Sequence, residues 1–501
     1  MKKLSLIFSI LLCILVVSCD SVNFGNVNND DDAVTAASTE GLMAGAMNQF
    51  FTLFGRNYHT RPNLYVQYQS QVVYTNEQRY NLAPAPWGGY YVGCLSNLKQ
   101  VVDITTADEV SIATKSYGDP ANQAGVAEIM AAFVWKRVTD IWGPVPYTDA
   151  LRKGDTLTPS YTDQETIYKD LISRVKAARD MLDPNLAGPT GDVVYGGDVA
   201  KWKKFANSFL LSLTMQLSKK YPGASGFAAT EFNAALSDPA GVIEDIADDA
   251  WYQYANAPGA LNPFSQLRGS DYQMSMPFTD ALRGQADGST ITYSNSTYDE
   301  RLNVFAADTS LNGRPYGLDK YNGSEKFTSI SSVIRDPDAP LPYLTAAYTY
   351  LNRAEAAERG WTSENAQTMF TNGVMASYAT VDAHWDDGDP TTGMLQSDGS
   401  AFAANRIMDA GSAGGGMMQV IDEEKWVALF PMGFQAWSEW RRTGVPGLIP
   451  SQDAVNDGSI PTRLVYPTAE SGVNSESYNA GVGKLTPASD SNTSKFWWEM
   501  Q

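Results

Sequence analysis

Residues 343–361 of the chain read YLTAAYTYLNRAEAAERGW. The apolar positions of this stretch recur every three or four residues, which places them on one face of a helix: Leu344, Ala347, Tyr348, Leu351 and Ala354. Gly360 is expected to end the helix, because glycine readily leaves the helical conformation. Thr362 or Ser363 is then expected to cap a second helix that continues to about Tyr378.

Only a few residues join these two helices, so they are predicted to pack as an antiparallel hairpin. Small side chains at facing positions, such as Ala354 and Ala376, allow the two helices to approach closely. The unit has a length near the ~34 residues of a tetratricopeptide repeat. The stretch therefore predicts a mostly α fold built on a tetratricopeptide-like helical-repeat scaffold.

Three earlier segments have the same helical periodicity. The first covers residues 124–142, the second runs from a cap at Thr162 or Asp163 to about residue 182, and the third runs from a cap at Asp198 to about residue 221. Each segment is followed by Gly or Pro within a few residues, which is typical of a helix end. The helical scaffold is therefore expected to begin well before the hairpin.

Two long segments lack this periodicity. Residues 238–341 and 445–501 are rich in Gly, Asn, Ser and Tyr, and we predict long ordered loops there with few short strands. Loops of this length are uncommon in a compact protein unless they carry function. We therefore expect a single domain over residues 33–501, with its functional residues in the loops.

The N-terminus has the pattern of a lipoprotein signal peptide. A short basic start (MKK) precedes an apolar run over residues 4–17, which is typical of a secretory signal. The residues VVSC, which end at Cys19, match a lipobox, in which a small residue precedes the lipidated cysteine. We predict a signal peptide over residues 1–18, lipidation of Cys19 and a flexible tether over residues 19–32. An ordinary signal peptide with a chance cysteine is the alternative.

Charge and cysteine content exclude several classes of protein. The formal net charge is −20, which makes the chain a poor partner for nucleic acid or for an anionic membrane surface. Cys13 belongs to the signal peptide and Cys19 takes the lipid, so Cys94 is the one remaining thiol. A disulfide framework and a cysteine-based zinc site are therefore excluded. Cys94 lies in the apolar stretch YYVGCLSNL and is expected to be buried and inert.

The sequence offers little for catalysis. It contains two histidines, His59 and His384, and none of the motifs HExxH, GxSxG or GxxxxGK[ST]. No catalytic residue, metal site or cofactor is therefore predicted. A glycoside hydrolase needs a pair of carboxylates, but no pair stands out among the 56 acidic residues. That enzyme class stays an alternative without residues assigned to it.

Aromatic residues are abundant, with 12 Trp, 26 Tyr and 19 Phe. The tryptophans within helical patterns are expected to pack in the core: Trp135, Trp142, Trp202, Trp426 and Trp437. Tyrosines in the loops, next to Asn, Arg and Asp, suit a carbohydrate. The C–H faces of a sugar stack on aromatic rings while its hydroxyls form hydrogen bonds with polar groups.

Motifs that occur in order along the chain resemble one known family. TDIWGPVPYTDAL (139–151), VAKWKKFANSFLLSLTMQLSK (199–219) and YLTAAYTYLNRAEAAERGW (343–361) resemble conserved helices of SusD/RagB lipoproteins. EKWVALFPMGFQAWSEWRRTGVPGL (424–448), RLVYPTAESGVNSESYNAG (463–481) and SKFWWEMQ (494–501) resemble the second SusD-like subgroup. Together these resemblances extend over nearly all of the chain after the signal peptide.

The resemblance implies a surface-exposed, lipid-anchored protein of the outer membrane that binds a nutrient oligosaccharide or oligopeptide. It also implies a partner, a SusC-like TonB-dependent transporter, on which the protein acts as a lid. Ligand sites of the family lie in loops, which correspond here to about residues 65–87 and 251–321. The candidate ligand-binding residues, chosen by chemistry and loop position, are Tyr74, Asn76, Arg79, Tyr272 and Tyr293. A structural or adhesin lipoprotein is a further alternative.

Overall fold

The computed structural model describes residues 37–53, 59–82, 84–152, 157–386 and 395–500. The predicted signal peptide, the predicted lipidation site Cys19 and the predicted tether lie outside these residues. Thr39–Gln501 form one compact unit. In the described part of the chain, no helix combines the length and the hydropathy that a membrane span requires.

The structure is mostly helical, as predicted. The α-helices, in chain order, are α1 (Thr39–Thr52), α2 (Arg61–Tyr65), α3 (Ser96–Thr105), α4 (Ile112–Ser116), α5 (Pro120–Trp142), α6 (Gln164–Met181), α7 (Val199–Gln216), α8 (Phe227–Leu236), α9 (Met276–Arg283), α10 (Arg301–Phe305), α11 (Ser332–Arg335), α12 (Ala346–Glu358), α13 (Ala366–Trp385), α14 (Ser400–Asp409), α15 (Gly416–Ala428), α16 (Gly433–Thr443), α17 (Glu470–Val473) and α18 (Ser475–Val482). A π-helical segment, Gly89–Leu95, leads directly into α3. Single 3₁₀ turns occur at Ile246–Asp248, Pro263–Gln266 and Trp497–Glu499.

Helices α12 and α13 form the predicted hairpin and pack extensively against each other. Gly360 ends α12 with φ +70°, a left-handed conformation that favours glycine. The amide of Gly360 donates to Ala357 O (2.9 Å) and the amide of Trp361 donates to Ala356 O (2.8 Å). This pair of hydrogen bonds is the Schellman arrangement, which satisfies the last carbonyl groups of a helix.

The second helix of the hairpin differs from its predicted bounds. It begins at Ala366, where Asn365 caps it by accepting a hydrogen bond from the Thr368 amide, and not after Thr362 or Ser363. The reason is Trp361, which is buried and donates from Nε1 to Pro222 O (3.1 Å), so the residues after it are part of a loop. The helix also extends to Trp385, whose buried side chain makes the last turn part of the core.

The other predicted caps are observed, with shifted helix ends. Asp163 accepts from the Thr166 amide (2.9 Å), and Asp198 accepts from the Lys201 amide (3.1 Å). Helix α5 begins four residues earlier than predicted, at Pro120, because proline is tolerated in the first turn of a helix. Helix α7 ends at Gln216, and turns follow it up to the predicted stop.

Glycines set the closest approach between paired helices. A Cβ atom on Gly373 of α13 would lie 2.8 Å from Leu351 Cγ of α12. A Cβ atom on Gly125 of α5 would lie 2.8 Å from Ala178 O of α6. Real Cβ atoms do not come this close to their neighbours, so the packing at both points depends on glycine. The predicted alanine, Ala354, is buried nearby.

The strands are short and form four antiparallel pairs in the described residues. The pairs are β1 (Gln69–Gln71) with β5 (Tyr272–Met274), β2 (Val145–Pro146) with β3 (Tyr161–Thr162), β4 (Ala250–Tyr252) with β7 (Leu341–Leu344), and β6 (Ile291–Thr292) with β8 (Gly447–Leu448). Each pair joins segments that are distant in sequence or closes a loop onto the scaffold. The β1–β5 pair joins the two loop regions that the sequence predicts to hold the ligand.

The core contains the helical tryptophans, as predicted. Trp142, Trp202, Trp426 and Trp437 are fully buried, and Trp135 is 3% exposed. Cys94 is also buried, and burial raises the pKa of its thiol to about 12. A thiol with so high a pKa stays protonated near neutral pH, which agrees with an inert structural role.

A fully buried ion cluster connects α12, α15 and α16. Arg442 donates to Glu355 Oε1 (2.6 Å) and Oε2 (2.7 Å), and its Nη2 also donates to Glu439 Oε2 (2.5 Å). Lys425 donates to Glu355 and to Asn352 Oδ1 (2.8 Å). Buried charges of this kind are tolerated only when they are paired and hydrogen-bonded. The cluster therefore holds the hairpin to the C-terminal helices.

Candidate functional site

The two predicted loop regions meet on one surface of the molecule. Strand β1 carries Gln71, which pairs with Tyr272 of β5. Arg79, from the first loop region, forms an ion pair with Asp319 of the second. We call the set Tyr74, Arg79, Tyr272, Asp319 and Tyr321 the tyrosine surface.

Tyr74 is the most exposed ring of this surface. It has φ +60°, and 61% of the residue is exposed. A non-glycine residue in the left-handed region costs about 1–3 kcal/mol and occurs preferentially at functional sites. An exposed aromatic ring gains little from burial that could compensate for this cost. The exposed ring and its strained backbone therefore make Tyr74 the strongest candidate for ligand contact.

Polar groups beside Tyr74 tie three loops together. The guanidinium of Arg79 binds the Asp319 carboxylate, and Arg79 Nε donates to Asp453 O (2.9 Å). The Asp319 amide donates to Asp453 Oδ2 (2.7 Å), and the Thr75 hydroxyl donates to Asp319 Oδ1 (3.2 Å). Asp453 was missed by the sequence-based prediction because it comes from the C-terminal loop, more than 100 residues from its partners. A local pattern does not indicate such a contact.

A buried network of glutamines supports this surface from below. Gln71 and Gln78 bind each other reciprocally, with the Gln71 amide 2.7 Å from Gln78 Oε1 and the Gln78 amide 3.1 Å from Gln71 Oε1. Gln71 Nε2 also donates to Glu77 Oε2 (2.7 Å), and Gln78 Nε2 donates to Leu318 O (2.9 Å). Buried polar groups that are satisfied in this way hold one conformation. The loops are therefore fixed in place before a ligand arrives.

The other two tyrosines carry polar contacts at their hydroxyls. Tyr272 is half-buried, and its hydroxyl accepts from Gln71 Nε2 (3.4 Å). Tyr321 donates from its hydroxyl to Glu325 Oε2 (2.5 Å), and this hydrogen bond lowers the pKa of Glu325. The Arg314 guanidinium lies 5.3 Å from the Tyr321 ring centroid. Both rings are thus held in place while part of each remains exposed.

Of the remaining candidates, Asn76 is exposed and Tyr293 is not. Tyr293 is 7% exposed, its ring centroid lies 5.9 Å from that of Trp426, and the Arg406 guanidinium lies 5.1 Å from it. Tyr293 directly follows β6 and packs in the core. This burial corrects the sequence-based selection of Tyr293. For Tyr74, Asn76, Arg79 and Tyr272, ligand binding stays a prediction.

The described residues contain no group of three or more His, Cys, Asp or Glu side chains placed to hold a metal ion. His59 is buried, and desolvation together with the charge of Arg137 lowers its pKa to about 3. His384 stacks on Trp251, with ring centroids 3.8 Å apart, and burial lowers its pKa as well. The lowered pKa values favour the neutral form of both histidines near pH 7, and both rings have packing roles.

Known proteins resemble the chain over nearly its whole length. A SusD-like family model, described as "Starch-binding associating with outer membrane", matches residues 31–467. A chitin-binding protein has a similar structure, with a TM-score of 0.75, 23% identity, and coverage of 93% of this chain and 100% of the other. A chitin-binding SusD homologue from Flavobacterium johnsoniae has a TM-score of 0.72, 22% identity, and coverage of 92% and 99%.

A SusD homologue from Bacteroides fragilis has a TM-score of 0.74, 21% identity, and the same coverage as the first, 93% and 100%. A comparison with curated proteins finds no match. The solved structures share the fold, and the family model extends over far more than half of the chain. The chain therefore belongs to the SusD-like family described as starch-binding and associating with the outer membrane.

Proposed function

We propose that the protein binds a neutral oligosaccharide at the tyrosine surface and, as a lid, passes it to a SusC-like TonB-dependent transporter. The observation that carries the proposal is Tyr74, an exposed aromatic residue with a strained backbone, on the same surface as the half-buried rings of Tyr272 and Tyr321. Aromatic faces bind the C–H side of sugars, and the nearby polar side chains bind hydroxyl groups. The two chitin-binding relatives and the starch-binding description of the family support a glycan ligand.

The Arg79–Asp319 pair suits a neutral glycan. The positive charge of Arg79 is neutralised by Asp319, so this pair offers no net charge to an acidic sugar. Both groups still have hydrogen-bonding capacity, since a guanidinium has five N–H donors and a carboxylate has about four acceptor positions. Starch and chitin, the polymers named for the family and its relatives, are both neutral.

We propose that binding is the whole activity and that the protein is not an enzyme. A glycosidase needs one protonated carboxyl near neutral pH next to an ionised one. On the tyrosine surface, Asp319 is paired with Arg79, and the pKa of Glu325 is lowered by Tyr321. The pKa of Asp249 is raised to about 7 and that of Glu499 to about 8, but both groups are buried away from this surface.

We propose that lipids on Cys19 anchor the protein to the outer membrane with its domain, residues 33–501, facing the cell exterior. The support is the lipobox at Cys19 and the family's association with the outer membrane. Residues 19–32 then form the tether that lets a lid open while its lipid stays in the membrane. A Cys19→Ser variant is expected to lose labelling by a radioactive fatty acid.

The ligand class is tested by calorimetry with malto-oligosaccharides, chito-oligosaccharides and a panel of oligopeptides. Saturable binding of one neutral oligosaccharide, and of no peptide, is the expected result. The glycan proposal fails if only peptides bind. The transporter partner is tested by affinity purification from detergent-solubilised outer membranes, and recovery without a barrel protein would contradict the lid role.

A further inference from the structure

Arg314 lies at the edge of the tyrosine surface and was not among the residues selected from the sequence. Its guanidinium carbon lies 5.3 Å from the Tyr321 ring centroid, and its Nε donates to Gln71 O (3.2 Å). Gln71 is also the partner of Tyr272 in the β1–β5 pair. Arg314 is therefore in contact with the elements that carry two tyrosines of this surface.

The backbone of Arg314 is fixed against the end of β5. Its amide donates to Met274 O (2.8 Å), and its carbonyl accepts from the Met276 amide (2.8 Å). The chain can come this close because residue 313 is glycine. A Cβ atom on Gly313 would lie 2.3 Å from Ser275 O. The Arg314 side chain consequently starts from one defined position.

The side chain is enclosed except at its tip. Only 9% of Arg314 is exposed, and the centroids of the Tyr321 and Phe327 rings lie 5.3 and 5.6 Å from its guanidinium carbon. Among the residues that the structure describes, Nη1 and Nη2 have no hydrogen-bond or ion-pair partner, and neither nitrogen is fully buried. A hydrogen bond needs only the edge of a guanidinium, so this small exposure is enough for contact with a ligand.

Other buried arginines of the chain have carboxylate partners. Four of them are fully buried, and each forms an ion pair: Arg301 with Asp299, Arg406 with Glu423, Arg442 with Glu355 and Arg463 with Asp490. Such pairing is the usual condition for burying a cation. Desolvation lowers the pKa of Arg314, but an arginine keeps its charge in a protein. The unused N–H groups of Arg314 are therefore available to an acceptor outside the chain.

A guanidinium selects its partner by hydrogen-bonding chemistry. It has donors and no acceptor, so it suits a carbonyl or carboxylate oxygen, which only accepts. A hydroxyl suits it less well, because a hydroxyl also needs an acceptor for its own proton. A hydrogen bond from a charged donor is roughly twice as strong as one between neutral groups. In a neutral sugar, the oxygen that only accepts and projects from the ring is the carbonyl of an acetamido group.

We propose that Arg314 binds the acetamido carbonyl of an N-acetylated sugar and makes the tyrosine surface selective for N-acetylated oligosaccharides. This proposal rests on the proposed function, because it places a neutral oligosaccharide on the same surface. It adds the substituent that the ligand carries. Tyr74 supplies a ring for the sugar face, and Arg314 supplies the donors for the substituent.

Calorimetry with chitotetraose and cellotetraose tests the proposal. The two tetramers share one backbone linkage and differ by an acetamido group in place of a hydroxyl on each ring. The parent protein should bind chitotetraose at least about tenfold more tightly, and Arg314→Met should lower this ratio by about tenfold, because a charge-assisted hydrogen bond is lost. Tyr74→Ala should weaken both tetramers and keep the ratio. Arg152→Met removes the same charge from a surface pair with Asp149 and should change neither affinity.

The proposal is overturned if the parent binds cellotetraose as tightly as chitotetraose, or if tetragalacturonate, which carries carboxylates, binds more tightly than both. An unchanged ratio in Arg314→Met also overturns it. Should Arg314→Met fail to fold, Arg314→Lys keeps the charge but offers a single nitrogen instead of a planar fork, and the ratio should again fall. If no neutral oligosaccharide binds, the proposed function fails as well. If one binds without preference for the acetamido group, only the role of Arg314 fails.

Discussion

Two arginine–carboxylate pairs illustrate how the scaffold and the loops use the same chemistry. Arg442 and Glu355 are fully buried and joined by two hydrogen bonds of 2.6 and 2.7 Å. Arg79 and Asp319 form a pair at the surface, with 19% and 51% of their side chains exposed. If one member of the interior pair is lost, the charges of the buried cluster no longer balance and water cannot reach them to compensate. The surface pair can exchange its hydrogen bonds with water or with a ligand.

The backbone shows the same contrast. On the scaffold, Gly125 and Gly373 stand where no larger residue fits between paired helices. On the loops, Tyr74 and Tyr80 have φ near +60° although they are not glycine. Tyr80 is buried, and its hydroxyl accepts from the Ser451 amide, whereas Tyr74 is exposed. Both residues have a strained backbone, but the Tyr80 ring is enclosed by the core, whereas the Tyr74 ring is exposed and accessible to a ligand.

Removal of the buried arginine should have the largest effect. Arg442→Met leaves Glu355 and Glu439 buried with too little positive charge, which is expected to lower the free energy of unfolding by about 3–5 kcal/mol. The matched surface variant, Arg79→Met, should cost less, about 1–2 kcal/mol, because it loses a partly exposed ion pair and the hydrogen bond to Asp453 O. Urea unfolding of both variants measures the difference. Equal losses would mean that burial does not separate the two pairs.

A methyl group added at a helix contact should have the next largest effect. Gly125→Ala places a Cβ atom 2.8 Å from a backbone oxygen, so a loss of about 1–3 kcal/mol is expected. Gly45→Ala is the control, because Gly45 is an exposed residue of α1 with no atom within 4 Å of an added Cβ. That substitution should gain up to about 1 kcal/mol. A loss at both positions would point to a general intolerance of substitution instead of close packing.

Burial of Glu499 should make stability depend on pH. Desolvation raises its pKa to about 8, so the folded state holds this proton more tightly than the unfolded state, where the pKa is near 4.5. The stability that the proton confers is complete below about pH 4.5 and is lost as the pH rises to about 8. The free energy of unfolding of Glu499→Gln, relative to the parent, should therefore increase over this interval by at most about 1.4 kcal/mol per pH unit.

Urea unfolding from pH 4 to 9 measures the Glu499 effect. A difference between Glu499→Gln and the parent that does not change with pH would contradict the raised pKa. Lys99→Gln is a suitable control, because Lys99 is exposed and forms only a surface ion pair with Asp103. The Lys99→Gln substitution should change the free energy of unfolding only slightly at any pH in this range.

Local features of the fold could be predicted from the sequence. The hydrophobic periodicity around Leu351 predicted the first helix of the hairpin correctly. Asp163 and Asp198 were predicted as caps because a capping side chain needs only a backbone amide of the first helical turn that follows it. The predicted cap of α13 was wrong because the loop before this helix is shaped by the burial of Trp361. That burial depends on contacts with α8 and with the turn after α7, more than 100 residues away. Whether a segment is helical follows largely from its neighbours in sequence, whereas the residue at which the helix ends also depends on tertiary contacts.

The candidate site was predictable only in part, for the same reason. The position of the site in loops, and the exposure of Tyr74 and Asn76, were expected from the polar composition of these segments. Tyr293 is buried against Trp426 and Arg406, which are more than 100 residues away, and no local sequence pattern indicates such contacts. The contribution of Asp453 to the surface likewise comes from a distant loop. A sequence indicates which residue types suit a ligand, and the fold decides which of them face it.

Tyr74→Gly tests the central claim, that the loops hold a strained tyrosine for a ligand, most directly. Glycine adopts φ +60° without strain, so the free energy of unfolding should stay unchanged or rise by up to about 1 kcal/mol. The lost ring should weaken binding of the oligosaccharide about tenfold, because an aromatic contact contributes about 0.5–1.5 kcal/mol beyond its buried area. Urea unfolding and calorimetry on one preparation give both values. A less stable variant with undiminished affinity would contradict the claim.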